Sequence, residues 1–222
     1  MSAEVRQMFA CIARRYDAAN EVLSLGVHRG WRRAAVRLSG AGPGQRVLDC
    51  ATGTGDLARE FARAGASVVA TDFCPEMIAA GLRKVNGVHF AVADALALPC
   101  ASGRFGVASI AFGIRNVDDP LRCLREMARV VKPGGRVVVL EFGQPRGAFG
   151  ALFRAYSRGV MPVVGGLLTG NRAAYEYLPR TAAAFPAGER FLELMREAGC
   201  FSRVEAHPLT FGTAFVYLGV IR

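Results

Sequence analysis

Acid, glycine, arginine and tyrosine recur in this 222-residue chain at spacings that suit a small charged ligand held beside a substrate. The apolar pair Val47-Leu48 runs into Asp49, and Gly53-Thr54-Gly55 follows before a helix-like run of Leu57, Ala58, Phe61 and Ala62. A strand that turns through glycines into a helix brings backbone close to a ligand, because glycine lacks a Cβ and tolerates positive φ. The helix start adds unpaired N–H groups. Asp72 ends a second strand-like run, where it can accept hydrogen bonds from sugar hydroxyls. Asp94-Ala95 follows a third. An acid there accepts from an amino group while its apolar neighbours cover a ring, although taken alone it reads as a turn cap. Three acids at successive strand ends match where α/β sheets bind ligands. After a fourth run come Ala111-Phe112-Gly113-Ile114 and then Arg115-Asn116. Alone these two would be a surface arginine and a turn residue, but Phe112 and Gly113 suggest the wall of a pocket, with a mobile or exposed Arg-Asn pair facing a substrate.

The glycine loop formally satisfies the dinucleotide pattern G-x-G-x-x-A, so a NAD(P) oxidoreductase is one reading. Asp49 argues against it, since a diphosphate would be repelled there and a ligand ammonium attracted. The acid favours S-adenosylmethionine.

The elements that must position these residues alternate. Strands are predicted at 45–50, 67–72, 88–93, 106–112 and 136–141, with helices near 55–64, 75–84 and 120–130. This rhythm implies βαβ units and a mainly parallel sheet covered on both faces. A helix near 187–198 precedes two extended runs, 201–207 and 213–221, which predict an antiparallel C-terminal hairpin. Residues 4–16 and 21–38 predict two N-terminal helices, the second carrying Trp31 with Arg29, Arg32, Arg33 and Arg37. Residues 145–185, rich in Gly, Pro, Tyr and Arg, read as an inserted helical cap. The whole chain, 1–222, reads as one α/β domain.

Hydrophobic content of 52% with 21% charged residues excludes disorder as the main state. No apolar run reaches the roughly 18–20 residues that a membrane span needs, and the N-terminus lacks the layout of a secretory signal. A cytoplasmic location is expected. The six cysteines form no Cys-x-x-Cys pair, which argues against zinc and leaves them as reduced, mostly buried groups, so no metal is expected. The net charge of +10 comes almost wholly from arginine, with Lys84 and Lys132 the two lysines. It reads either as coding bias or as attraction to anionic lipid or nucleic acid. The aromatic-basic platforms of an RNA-binding protein are missing.

With these residues in hand the chain resembles the ubiquinone/menaquinone biosynthesis C-methyltransferases, within the class I S-adenosylmethionine-dependent superfamily. The resemblance runs nearly end to end. It rests on Met8-Phe9, Ile12-Ala13-x-Arg15-Tyr16-Asp17-x-x-Asn20, Leu23-Ser24-Leu25-Gly26 and Trp31-Arg32-Arg33 in the first segment. It continues through the glycine loop, Phe112-Gly113-Ile114-Arg115-Asn116, Lys132-Pro133-Gly134-Gly135, Leu140-Glu141-Phe142 and Tyr175-x-Tyr177-Leu178-Pro179. The resemblance implies a Rossmann-like class I fold with a seven-stranded sheet. It implies that Thr54, Asp72, Asp94 and Ala95 contact S-adenosylmethionine, beside Gly53 and Gly55, which the loop's own chemistry places there. At Ala111, where many relatives carry serine, only a backbone contact would survive. The reaction implied is methyl transfer to a ring carbon of a reduced polyprenyl quinone. The ring would be demethylmenaquinol, or alternatively the benzoquinol of the ubiquinone route or another small molecule such as a sterol or phospholipid. Arg115 would stabilise the developing phenolate and Asn116 would orient the same oxygen. Tyr16 and Asp17 would sit on a lid formed by residues 1–40, and Tyr175 and Tyr177 would line the substrate channel unless they are ordinary core aromatics. A membrane-resident tail would give the basic, amphipathic segments an interfacial role at the inner face of the cell membrane. A homodimer is compatible with the sequence and not specified by it.

Overall fold

The computed structural model describes residues 3–13 and 15–222. The chain opens with α1 (Ala3–Ile12), α2 (Tyr16–Ser24) and α3 (Val27–Ser39). An alternating series follows: β1 (Arg46–Cys50), α4 (Asp56–Arg63), β2 (Ser67–Asp72), α5 (Pro75–Lys84) and β3 (Val88–Val92). Next come β4 (Phe105–Ala111), α6 (Pro120–Val130) and β5 (Val131–Phe142). The cap is built from α7 (Gly147–Ala155), a π-helical turn (Tyr156–Val160), α8 (Met161–Thr169) and α9 (Arg172–Ala184). α10 (Glu189–Glu197), β6 (Phe201–Leu209) and β7 (Ala214–Ile221) close the chain.

Among the described residues seven strands form one sheet in the order β3-β2-β1-β4-β5-β7-β6. β1 pairs parallel with β2 and β4, β2 with β3, and β4 with β5, while β7 pairs antiparallel with both β5 and β6. This is the Rossmann-like class I arrangement, with the terminal hairpin that the sequence predicts. Central strands are buried on both faces, so β4 is buried at six consecutive positions, Phe105 to Ile110. Successive residues serve opposite layers. Leu48, Ala108 and Val139 pack with Leu124, Met127, Phe191 and Met195 on one side. Val47, Val107 and Val138 pack with Trp31, Leu57 and Phe61 on the other.

Helix starts follow local chemistry. Pro75 and Pro120 open their helices, and Asp119 caps α6 by accepting from the Arg122 N–H at 2.9 Å. Two N-terminal expectations need correction. The helix predicted over 4–16 ends at Ile12, and the one over 21–38 is broken between Ser24 and Val27. Leu25 and Gly26 both take left-handed φ, 50° and 75°, and the Leu25 N–H bonds back to Glu21 and Val22 carbonyls. That turn folds α3 onto the sheet and leaves α2 free to pack against α8 and α5 through Ala19, Leu23 and Met77. β5 begins earlier than predicted, because residues 132–135 loop out as an irregularity between the Phe105–Val131 and Val107–Arg136 pairs.

Candidate active site

Two openings meet at the carboxyl edge of the sheet. The smaller lies over the glycine loop, with Asp49, Thr52, Gly53, Thr54 and Ala111 in its wall. Asp49 is 1% exposed, and accepts from the Ser109 and Thr52 hydroxyls at 2.6 Å each. Burial pushes its carboxyl up to about 6 despite these donors. Gly53 has φ +57°, and a Cβ added there would project into open space. Its N–H donates to Asp72 at 2.8 Å. Gly55, at φ +81°, has no room for a side chain, because a Cβ would stand 2.7 Å from the Phe90 ring. Asp72 also accepts from the Cys74 N–H at 2.9 Å, and burial raises its pKa against those backbone donors. Ala93 at the end of β3 bonds to the Asp72 carbonyl, which sets Asp94 beside it. Asp94 itself caps a turn by accepting from the Leu96 N–H at 2.9 Å, and Ala95 is buried in the core. Asp72, Gly55, Asp94 and Ala95 stand outside the walls of both openings.

Thr54 is buried, and its hydroxyl donates to Asp17 at 2.6 Å and accepts from Lys84 at 3.0 Å. Lys84 pairs with Asp17 and Asp56 at 2.5 Å, and Asp56 pairs with Arg32 at 3.1 Å. Burial favours the neutral Asp56 acid, but Arg32 and Lys84 outweigh it and hold the carboxyl below its ordinary value. This network ties α2 across the glycine loop to α5. Asp17 therefore holds the loop and lines neither opening.

The larger cavity, about 350 Å³, lies between the sheet edge, the N-terminal helices and the cap. Tyr16, Arg32 and Phe112 stand in the walls of both openings, so the two are neighbours. Arg115 reaches this cavity, but it is not the mobile or exposed residue that its sequence neighbourhood suggests. Its side chain is 2% exposed and pairs with Glu141, itself 1% exposed, at 2.7 Å. The same guanidinium donates to the Phe112 carbonyl at 2.7 Å and lies 5.2 Å from the centre of the Phe142 ring. Burial raises the Glu141 pKa even against this charge. Arg115 Nε and Glu141 Oε2 are buried without a hydrogen-bond partner. β4 and β5 explain the meeting, since Ala111 pairs with Leu140.

Asn116 and Tyr177 come together beside the cavity, outside its walls. Tyr177 donates to Asn116 Oδ1 at 3.1 Å, and Asn116 Nδ2 donates to the Phe112 carbonyl at 3.4 Å. Tyr177 thus stands outside the cavity wall. Tyr175 is in it, fully buried in a cluster with Leu23, Met77 and Ala174 and packed so closely on α8 that a Cβ on Gly165 would stand 2.2 Å from its ring. Tyr16 bonds to Asn20 and is held in the neutral form by burial, while Arg115 and Arg32 pull its pKa the other way. His28, Arg32, Lys84, Asp56 and the partnership of Glu141 with Arg115 escaped the sequence reading. Lys84, Asp56 and Glu141 meet partners distant in sequence, and Arg32 belongs to a basic cluster read only as charge. His28 is paired with the nearby Ser24 and Glu21 and carries no motif.

A SAM-dependent methyltransferase from Thermotoga maritima superposes with a TM-score of 0.70 at 20% identity, over 97% of this chain and 99% of that one. A ubiquinone/menaquinone biosynthesis C-methyltransferase of Bdellovibrio bacteriovorus is 50% identical over 98% of this chain and 96% of its own. A demethylmenaquinone methyltransferase of Thermus thermophilus is 49% identical, over 96% of this chain and 99% of its own. The model of the ubiE/COQ5 methyltransferase family matches residues 1–221. The chain belongs to the ubiE/COQ5 methyltransferase family.

Proposed function

We propose that the protein transfers the methyl group of S-adenosylmethionine to a ring carbon of a reduced polyprenyl quinone, with demethylmenaquinol as the substrate and the benzoquinol of the ubiquinone route as the alternative. The observation that carries this reading is the junction at Tyr16, Arg32 and Phe112, where the small opening over the glycine loop meets a larger cavity walled by aromatic residues and Arg115. The names of the relatives support both quinone rings.

The residues present fit S-adenosylmethionine. Asp49 is a buried acid whose hydrogen-bond partners, the Ser109 and Thr52 hydroxyls, carry no charge, and Gly53 leaves space where a side chain would stand. Asp49, Gly53, Thr54 and the Ala111 backbone, which wall the small opening, would hold its charged end, Gly55 would shape the turn, and Asp72 would reach the sugar and Asp94 and Ala95 the base beyond that wall. When bound it supplies an electrophilic methyl group on a sulfonium. α1 and α2 serve as the lid, fastened by Asp17 to Thr54 and Lys84.

A neutral aromatic carbon is a weak nucleophile, so the ring must be activated by loss of a hydroxyl proton. A phenol of pKa roughly 10 keeps that proton at neutral pH unless the site favours the anion. Tyr16 reports the local field, since Arg115 and Arg32 both favour ionisation of its phenol. The same two charges would favour a phenolate in the cavity they wall. Arg115 is never a base, because a guanidinium has five N–H donors and no acceptor. Asn116 acts by holding Tyr177 beside it. Labelled S-adenosylmethionine, incubated in parallel with reduced demethylmenaquinone and the benzoquinol, tests the reading. Label in the naphthoquinol supports it, label in the benzoquinol alone moves the protein to the ubiquinone route, and label in neither removes the quinone assignment.

The prenyl tail of such a substrate lies in a bilayer. No helix among the described residues is long and apolar enough to cross a membrane. The cap nonetheless exposes Phe149, Leu152, Val160, Val163 and Leu167, with Leu152 68% and Leu167 81% exposed. Phe149 packs on Phe211, which is also exposed. From Phe142 to Tyr175 the sequence holds Arg146, Arg154, Arg158 and Arg172 and no acidic residue. This face suits the surface of an anionic bilayer, at about 1 kcal/mol for each arginine near it. Sedimentation with phosphatidylglycerol vesicles is expected to carry the protein down. Leu152→Glu with Leu167→Glu should weaken that binding at least about tenfold and leave turnover of a short-tailed quinol unchanged. Equal sedimentation of the variant would remove the docking role.

A further inference from the structure

A quinol that loses its proton needs an acceptor, and the cavity wall contains one. Among the described residues, every other titratable residue on that wall is an arginine or one of Tyr16, Tyr156 and Tyr175. Arginines stay protonated, and burial raises the pKa of all three tyrosines, which keeps them neutral acids. His28, buried near the start of α3, is the remaining group.

Its tautomer follows from its neighbours. The Ser24 hydroxyl donates to the Asn20 carbonyl at 2.7 Å, and a carbonyl can only accept. The single Ser24 hydrogen is therefore engaged, so in the close contact between Ser24 Oγ and His28 Nδ1 the imidazole must be the donor. The ring carries its hydrogen on Nδ1 and its lone pair on Nε2. Nε2 stands 3.7 Å from the Glu21 carboxylate, which also accepts from Arg29 Nε at 2.9 Å. The charged groups that bear on His28 are Arg32, Glu21, Asp56 and Arg29. Burial and then Arg32 lower its pKa, which leaves the ring neutral and able to accept at neutral pH.

We propose that His28 is the general base of methyl transfer, taking the quinol hydroxyl proton on Nε2 and passing it by way of Glu21 to solvent. The inference rests on the quinol reading above. As the O–H bond breaks, its electron pair enters the ring and the ring carbon forms a bond to the incoming methyl group, whose former S–C pair stays on sulfur as a neutral thioether. The ring carbon then loses its own hydrogen as a proton while the oxygen regains one, so the net product is one proton, which leaves through His28. The imidazolium formed on the way faces Glu21, itself partly exposed.

The test measures turnover against pH at saturating S-adenosylmethionine with reduced demethylmenaquinone. His28→Asn and His28→Gln are expected to lose about 10²–10⁴-fold in kcat, with S-adenosylmethionine affinity unchanged by calorimetry. Wild-type turnover should be level through neutral and alkaline pH and fall below the ordinary histidine value of about 6.5. The residual rate of the variants should climb tenfold per pH unit toward the quinol pKa of roughly 10. If the variants fail to fold, the wild-type profile decides alone. A wild-type rate that climbs tenfold per unit, or variants within about threefold of wild type, overturns the role of His28 while quinol methylation stands. A wild type that labels no quinol instead overturns the reading beneath it and removes the proton that His28 would take.

Discussion

Arg115→Ala is expected to abolish methyl transfer and to lower the unfolding temperature by about 10 °C. The two losses have different causes. Arg115 and Glu141 are buried together at 2.7 Å, so removing the arginine strands a carboxylate that burial already pushes toward the neutral acid. Breaking such a pair from one side costs about 3–5 kcal/mol, and a domain of this size shifts by about 2–4 °C for each kcal/mol. The catalytic loss arises because the guanidinium contributes positive potential at the cavity. Arg115→Met combined with Glu141→Leu separates the two effects. Removing both charges should recover most of the stability, since a buried pair is often no better than apolar packing, while turnover stays lost. Scanning fluorimetry and turnover on the single and double variants check this. Wild-type turnover in Arg115→Ala would contradict the role given to Arg115.

The second large effect belongs to Asp49. Asp49→Asn is expected to weaken S-adenosylmethionine binding about 100-fold, roughly 2.7 kcal/mol, while stability at pH 7 stays level or rises. The carboxyl moves from its ordinary 3.8 to about 6 because burial disfavours its charge. A raised acid favours folding while protonated. Its contribution is complete below about 3.8 and is lost as pH rises to about 6. Above that range the charged form costs stability, of order 2–3 kcal/mol, which the bound ammonium or sulfonium would offset. Wild-type affinity should therefore fall as pH drops below about 6, and the asparagine variant should lack that dependence. Calorimetric titration on either side of that pH reads both. Unchanged affinity in Asp49→Asn would exclude Asp49 from the binding site.

Much of the fold was legible because parallel strands and their helices each carry a local signal. Pro75 and Pro120 mark helix starts, and the apolar runs ending at Cys50 and Ala111 show the near-continuous burial of central strands. The break at Leu25 was not legible, since leucine has no preference for a left-handed φ. Gly26 beside it takes its left-handed φ freely, but only the packed structure shows that Leu25 joins it in the turn that seats α2 against α8 and α5. The glycine loop and its acids were legible as a series. Arg115 was found by its neighbours, but its burial was not. Glu141 lies 26 positions away and meets it through the pairing of β4 with β5. Lys84 and Asp56 carry no motif of their own; Lys84 bridges Asp56 and Asp17, and its contact with Asp17 depends on α2 crossing the loop. His28 carried no motif. Its chemistry comes from Ser24, four residues earlier, and from the cavity that α3 faces.

Carbon-13 spectroscopy of the product formed from demethylmenaquinol and S-adenosylmethionine labelled at its methyl carbon tests the central claim most directly. One labelled signal is expected in the aryl-methyl region, formed with the reduced ring and absent with the oxidised one. A signal in the O-methyl region, or equal labelling of the oxidised quinone, would contradict attack by a ring carbon that loss of a hydroxyl proton has activated.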